Sequence, residues 1–105
     1  MKYLLLTILF VPTLVIAEPR DLIGQIIDKL IQCESGGRQF AVNNKESHGS
    51  SYGVLQYRIS TLYHFADRYE IERKDIFDIE FQKDVARKML EEGRISNWKI
   101  CSRNL

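Results

Sequence analysis

The two cysteines constrain the fold of this chain more than any other sequence feature. Cys33 and Cys101 are its only cysteines, and four residues follow the second one in the sequence. In an oxidising compartment, two such cysteines most simply form one disulfide. The bond would close a loop of about 68 residues and contribute roughly 4 kcal/mol in the chain-entropy model. The C-terminal tail must then fold back onto the segment around residue 33.

The N-terminal segment predicts export to such a compartment. A positive start, Met1-Lys2, precedes an apolar run over residues 3–16, and Ala17 follows it. This order is typical of a secretory signal peptide. The run is also shorter than the roughly 20 residues that a membrane-spanning helix needs. We therefore expect a signal peptide over residues 1–17, cleaved after Ala17, one domain over residues 18–105, and a periplasmic or extracellular protein. An uncleaved anchor is the alternative.

The charge and the titratable residues argue against several functional classes. The full chain has 15 Lys and Arg against 14 Asp and Glu, and Lys2 lies in the leader, so residues 18–105 are close to neutral. A neutral surface argues against a nucleic-acid partner, because phosphates favour a basic one. The two cysteines and two histidines show no metal-ligand spacing, and we expect neither a metal nor a cofactor. Uncharged polymers such as glycans remain as substrates.

Hydrophobic periodicity predicts a mainly α-helical domain. Apolar residues at helical spacing predict a first helix from about Asp21 to Glu34, which Gly36-Gly37 would end. Residues 36–53 are rich in Gly, Ser and Asn, which predicts a long surface loop or a small hairpin. A second helix is expected over residues 60–70. A third should begin after Asp78 as its N-cap and end at Gly93.

Glu34 is the candidate acid. It continues the apolar stripe of the first helix, so its carboxyl should point towards the core side rather than into water. It also lies in the last turn, where the helix dipole disfavours a further negative charge. Both effects should raise the pKa of the carboxyl. A carboxylic acid that stays protonated near neutral pH can protonate a glycosidic oxygen. The alternative is that this terminal glutamate turns out into solvent.

Four short segments of the sequence form an ordered set with Glu34: Glu34-Ser35-Gly36-Gly37, Ala41-Val42-Asn43, Ser51-Tyr52-Gly53-Val54-Leu55-Gln56 and Ser60-Thr61. With this set, the sequence resembles the lysozyme-like lytic transglycosylase domain family. The family pattern is Glu-Ser at a helix end, an Ala-x-Asn turn, a Gly-Leu-Met-Gln-like segment about 20 residues on, and then a threonine. The resemblance extends over about residues 21–101 and implies helices around a cleft.

The resemblance implies roles for individual residues. Glu34 matches the catalytic acid/base, and Ser35 matches a serine that helps to hold the acid or the substrate. Gln56 matches the glutamine that lines the cleft beside the acid. Tyr52 and Tyr57 flank Gln56, where they would either stack on sugar faces or serve as framework aromatics. The later Asn-Ala-Gly motif of larger members has no counterpart in this sequence.

The implied activity is cleavage of peptidoglycan glycan strands at the MurNAc–GlcNAc bond, with a 1,6-anhydro product. A hydrolytic glycosidase normally needs two carboxylates, and Glu46 is the best second candidate. Two alternatives therefore stay open, a lysozyme-type hydrolase acting on the same bond and a secreted glycan-binding module without activity. The protein would act on the wall of its own producer or serve a secretion, conjugation or phage apparatus.

Overall fold

The computed structural model describes residues 21–45 and 49–105, and this part of the chain is mainly α-helical. The predicted signal peptide, its cleavage site at Ala17, and Glu46 lie outside the described residues. Within the described residues, no helix is both long enough and apolar enough to cross a membrane. The elements in chain order are α1 (Leu22–Ser35), β1 (Val42–Lys45), β2 (Gly49–Tyr52), α2 (Ile59–Arg68), α3 (Ile79–Glu91), a 3₁₀ turn (Ile95–Trp98) and α4 (Lys99–Ser102).

Local signals in the sequence set both ends of α1. The Asp21 carboxylate accepts a hydrogen bond of 3.0 Å from the Gly24 N–H, which makes it the N-cap. At the other end Gly36 takes a left-handed φ of 66° and donates its N–H to the Gln32 carbonyl. A glycine adopts this conformation without steric cost. The prediction of a helix that ends at the Gly-Gly pair is confirmed.

The polar segment after α1 contains a hairpin and then a tight loop. Strands β1 and β2 pair antiparallel, with Val42 opposite Tyr52. The chain then turns over residues 53–56 and returns to pair Tyr52 with Tyr57 through two backbone hydrogen bonds of 2.8 and 3.0 Å. The buried Gln82 of α3 holds this loop, because its amide accepts from the Leu55 N–H at 2.8 Å and donates to the Tyr52 carbonyl at 3.0 Å.

The core is centred on α3, which packs against both α1 and α2. The Asp78 carboxylate caps α3 by accepting from the Phe81 N–H at 2.9 Å, as the sequence predicts. Helix α2 ends at Arg68, two residues before its predicted limit at Glu70, and Glu70 itself takes a left-handed φ of 59°. The buried apolar core residues are Ile27, Leu30, Val54, Leu55, Tyr57, Leu62, Ala66, Phe81, Val85, Ala86, Met89, Trp98 and Cys101.

The tail returns to the end of α1 and is bonded to it. Cys33 and Cys101 form a disulfide, with their Cα atoms 5.8 Å apart. Trp98 precedes this bond and is buried, and its indole N–H donates to the Leu55 carbonyl at 3.0 Å. The predicted pairing is confirmed. A disulfide is consistent with an oxidising, exported location.

Candidate functional site

A cleft of about 550 Å³ opens beside the C-terminal end of α1. Three parts of the chain form its walls: the end of α1, the β1–β2 hairpin with the loop that follows it, and the C-terminal tail. Its lining residues are Glu34, Asn43, Gly49, Ser51, Gln56, Arg58, Ser96, Asn97, Trp98, Lys99, Ile100 and Cys101.

Glu34 is half-buried in this cleft. Its position is fixed on both sides along the chain. Cys33 is bonded to the tail, and Ser35 is 2% exposed, with its hydroxyl donating to the Ile31 carbonyl at 3.1 Å and accepting from the Gly37 N–H at 3.1 Å. The turn that carries the carboxyl is therefore held by a disulfide on one side and by two hydrogen bonds on the other.

Gln56 reaches the same cleft from the loop after the hairpin. It has a left-handed φ of 53°, which costs a non-glycine residue about 1 kcal/mol or more. Its side-chain amide holds this geometry by donating to the Gly53 carbonyl at 2.9 Å and the Ala41 carbonyl at 3.2 Å. Strained backbone of this kind is common where a side chain is held for function. Glu34 and Gln56, which the family resemblance selects from separate segments, thus line one cleft.

The hairpin wall of the cleft is polar and uncharged at the residues that line it. Asn43 of β1 and Ser51 of β2 are partners across the hairpin, and both line the cleft. Their amide and hydroxyl groups can donate and accept hydrogen bonds. Such groups suit the hydroxyl and acetamido groups of a sugar chain.

Three residues expected to bind substrate lie elsewhere. Ser35 is buried, its hydroxyl makes the two hydrogen bonds at the end of α1 described above, and it lies outside the lining of the cleft. Tyr57 is 1% exposed, and its ring packs edge-on against Trp98 at 5.7 Å, so it is a core residue and has no open face for a sugar. Tyr52 packs on Phe77 at 5.9 Å, and strand alternation points it away from the face that carries Ser51. In this structure Tyr57 is a framework aromatic, while Tyr52 is half-buried and lies outside the lining of the cleft.

Several lining residues were not selected from the sequence. Asn43 belongs to the Ala-Val-Asn segment that carries the resemblance, so the signal was present but was not assigned to the cleft. Arg58 follows the Gln56 loop directly, whereas Asn97 and Lys99 belong to a tail segment without a motif and reach the cleft only because the tail folds back. No local pattern in the sequence predicts such a meeting.

The described residues contain no group of three or more His, Cys, Asp or Glu side chains that could hold a metal ion. Among the described residues that line the cleft, Glu34 is the acidic one. Glu46, the second carboxylate considered from the sequence, lies outside the described residues.

No family model, curated protein or solved structure matches the chain. The assignment of function therefore rests on the residues of the cleft and on the motifs in the sequence.

Proposed function

We propose that this protein is a lytic transglycosylase with a lysozyme-like domain, which cleaves peptidoglycan glycan strands at the MurNAc–GlcNAc bond. One observation carries the proposal: Glu34 and Gln56, on different elements, line a single cleft whose hairpin wall is polar and neutral at Asn43 and Ser51. A half-buried carboxyl in a polar cleft suits acid catalysis on a glycan.

The proposed reaction uses one carboxyl twice. Protonated Glu34 first donates its proton to the glycosidic oxygen, and the bond from that oxygen to the muramoyl C1 breaks while the N-acetyl group of the same sugar assists. The Glu34 carboxylate then takes the proton from the 6-hydroxyl of that sugar, whose oxygen bonds to C1. The ring closes as a 1,6-anhydro sugar, no water is consumed, and Glu34 regains its proton.

A pH dependence follows from this order of steps. Only the protonated acid can begin the reaction, so activity should decline as the pH rises through the pKa of Glu34 in the complex. Glu34→Gln keeps the volume of the side chain but removes the proton, and it should slow the reaction by about a hundredfold or more at every pH.

A hydrolase acting on the same bond is the second candidate, and the sequence offers Glu46, which lies outside the described residues, as its second carboxylate. A second carboxylate would activate a water molecule, and the product would end in a reducing sugar.

The experiment that tests the proposal is digestion of purified peptidoglycan, with mass analysis of the released fragments. The transglycosylase gives anhydro ends, which are lighter by one water than hydrolytic ends. Hydrolytic ends would contradict the proposed mechanism and favour the hydrolase. Binding to the wall without any released fragment would favour the non-catalytic module.

A further inference from the structure

The cleft continues beyond Gln56 into a second cavity of about 250 Å³. The two cavities share four lining residues, and the second is also lined by Thr61 of α2. Together they form one groove that runs from Glu34, past Gln56, to the start of α2. The shared residues are Ser51, Gln56, Arg58 and Asn97.

The charges along this groove are uneven. Glu34 lies in the first cavity together with Lys99, while Arg58 lines both cavities. The described residues that line the second cavity include no carboxylate. The end of the groove beyond Glu34 is therefore cationic.

Within the part of the chain that the structure describes, Arg58 has no carboxylate partner. It is exposed and makes no ion pair with residues 21–45 or 49–105, and its side chain makes no capping bond to α2. A guanidinium of this kind remains able to bind an anion brought by a ligand. By contrast, four other arginines pair with carboxylates: Arg68, Arg73, Arg87 and Arg94.

We infer that Arg58 is a specificity residue that binds a carboxylate of the glycan substrate. The inference rests on the proposed function and adds a charge requirement to it. The guanidinium fork can bind a carboxylate through two parallel hydrogen bonds, while the neutral polar wall contacts the sugar rings. The groove thus favours an acidic glycan over a neutral one. The carboxylate comes either from the lactyl group of a peptide-free muramoyl sugar or from the attached peptide.

The test compares peptidoglycan with the same material after its carboxyl groups are converted into neutral amides. For the wild type, amidation should raise KM about three- to tenfold and change kcat little, as expected for the loss of one partly exposed charge-assisted contact. Arg58→Gln should have no preference between the two materials. Its KM on both should be close to the raised KM of the wild type on the amidated material. Arg58→Lys keeps the charge and should keep part of the preference. Peptide-free strands, which keep only lactyl carboxylates, identify the source: a preference retained there assigns the lactyl group, and one lost there assigns the peptide.

Arg103→Gln is the matched control, since it removes the same charge from an exposed residue outside the groove. It should behave like the wild type. An Arg58→Gln variant that still prefers the acidic material would overturn the inference. An Arg58→Lys variant with no preference would also overturn it, because the positive charge at residue 58 would then not determine the preference.

A binding measurement separates this inference from the proposed function. Co-sedimentation of the Glu34→Gln variant with insoluble peptidoglycan, native or amidated, reports the charge preference without turnover. If no protein cleaves the wall but sedimentation falls on amidation and on the further change Arg58→Gln, the proposed activity is wrong and the carboxylate site stands. Equal sedimentation with both materials, or with neither, overturns the site.

Discussion

At the scale of single residues, the contact between Gly53 and Gln82 organises the loop that carries Gln56. Gly53 has a φ of 81°, and a Cβ atom at this position would overlap the Gln82 side-chain amide. Gln82 is fully buried and also donates to the Ile76 carbonyl at 2.6 Å. It therefore has no room to move away. The loop is held close to α3 because residue 53 has no side chain.

Replacing Gly53 by alanine should therefore be strongly destabilising. The left-handed backbone costs about 1–2 kcal/mol for a non-glycine residue, and the overlap with Gln82 should bring the total to about 2–4 kcal/mol. Denaturant unfolding measures the loss. Gly93→Ala is the control, since Gly93 has a similar φ of 83° and open space around it, and it should lose only the backbone part. Equal losses in the two variants would contradict the role given to Gln82.

At the scale of elements, an exposed ion pair links the start of α1 to α3. The Arg87 guanidinium donates to the Asp21 carboxylate at 2.8 and 3.1 Å, and the same carboxylate caps α1. The hydrogen bond from Arg87, followed by the one from the Gly24 N–H, lowers the pKa of Asp21 from its ordinary 3.8 to about 2. The pair is therefore also a source of acid sensitivity.

The sign of this sensitivity follows from the direction of the shift. Because the folded state holds the Asp21 proton more weakly than the unfolded chain does, the stabilisation is complete above pH 3.8 and is lost as the pH falls towards 2. Asp21→Asn keeps an oxygen that can cap α1 but removes the charge, so this part of the acid destabilisation should disappear. The acid destabilisation is measured as the change in denaturant midpoint between about pH 5 and pH 2, a range that includes the pKa of Asp21 in both the folded and the unfolded state. Asp28→Asn on the same helix is the control, and an unchanged profile for Asp21→Asn would contradict the account.

The disulfide connects two elements that both contribute to the cleft. Cys33 precedes Glu34, while Cys101 follows the tail residues that line the opposite wall. Replacing both cysteines by alanine should cost up to about 4 kcal/mol, and it should lower activity further because the tail wall loses its anchor. Unfolding and turnover measure the two effects. Intact mass with and without reductant checks the premise, and two alkylatable thiols in the native protein would contradict it.

Helices were easier to predict than the loop residues, for a physical reason. The limits of α1 follow from short-range signals, an apolar repeat with a capping Asp21 and a glycine at its end, which are readable in the sequence. The burial of Tyr57 depends on Trp98 and on the Gln82 and Met89 atoms near its hydroxyl, which come from distant segments. From the sequence, Tyr57 beside Gln56 could therefore either stack on a sugar or serve as a framework residue, and only the distant contacts show that it belongs to the core.

At the scale of the whole molecule, the groove exists because the C-terminal tail returns to the end of α1. The end of α1 supplies Glu34, the hairpin and its loop supply the polar wall, and the bonded tail closes the other side with Asn97 and Lys99. Sequence motifs selected Glu34 and Gln56, which both line this groove. The sequence did not predict the tail wall, because that wall is made by a fold-back that the disulfide fixes but that no local pattern describes.

The central claim is that Glu34 is the acid that cleaves the glycan strand. The most direct measurement is digestion of purified peptidoglycan by the wild type, by Glu34→Gln and by Glu72→Gln, a control that alters an exposed glutamate outside the groove. Folding of each variant is verified by its unfolding curve. The wild type and Glu72→Gln should release fragments with 1,6-anhydro ends, and Glu34→Gln should be slower by about a hundredfold or more. A folded Glu34→Gln variant that releases the same fragments at a near-normal rate would contradict the claim.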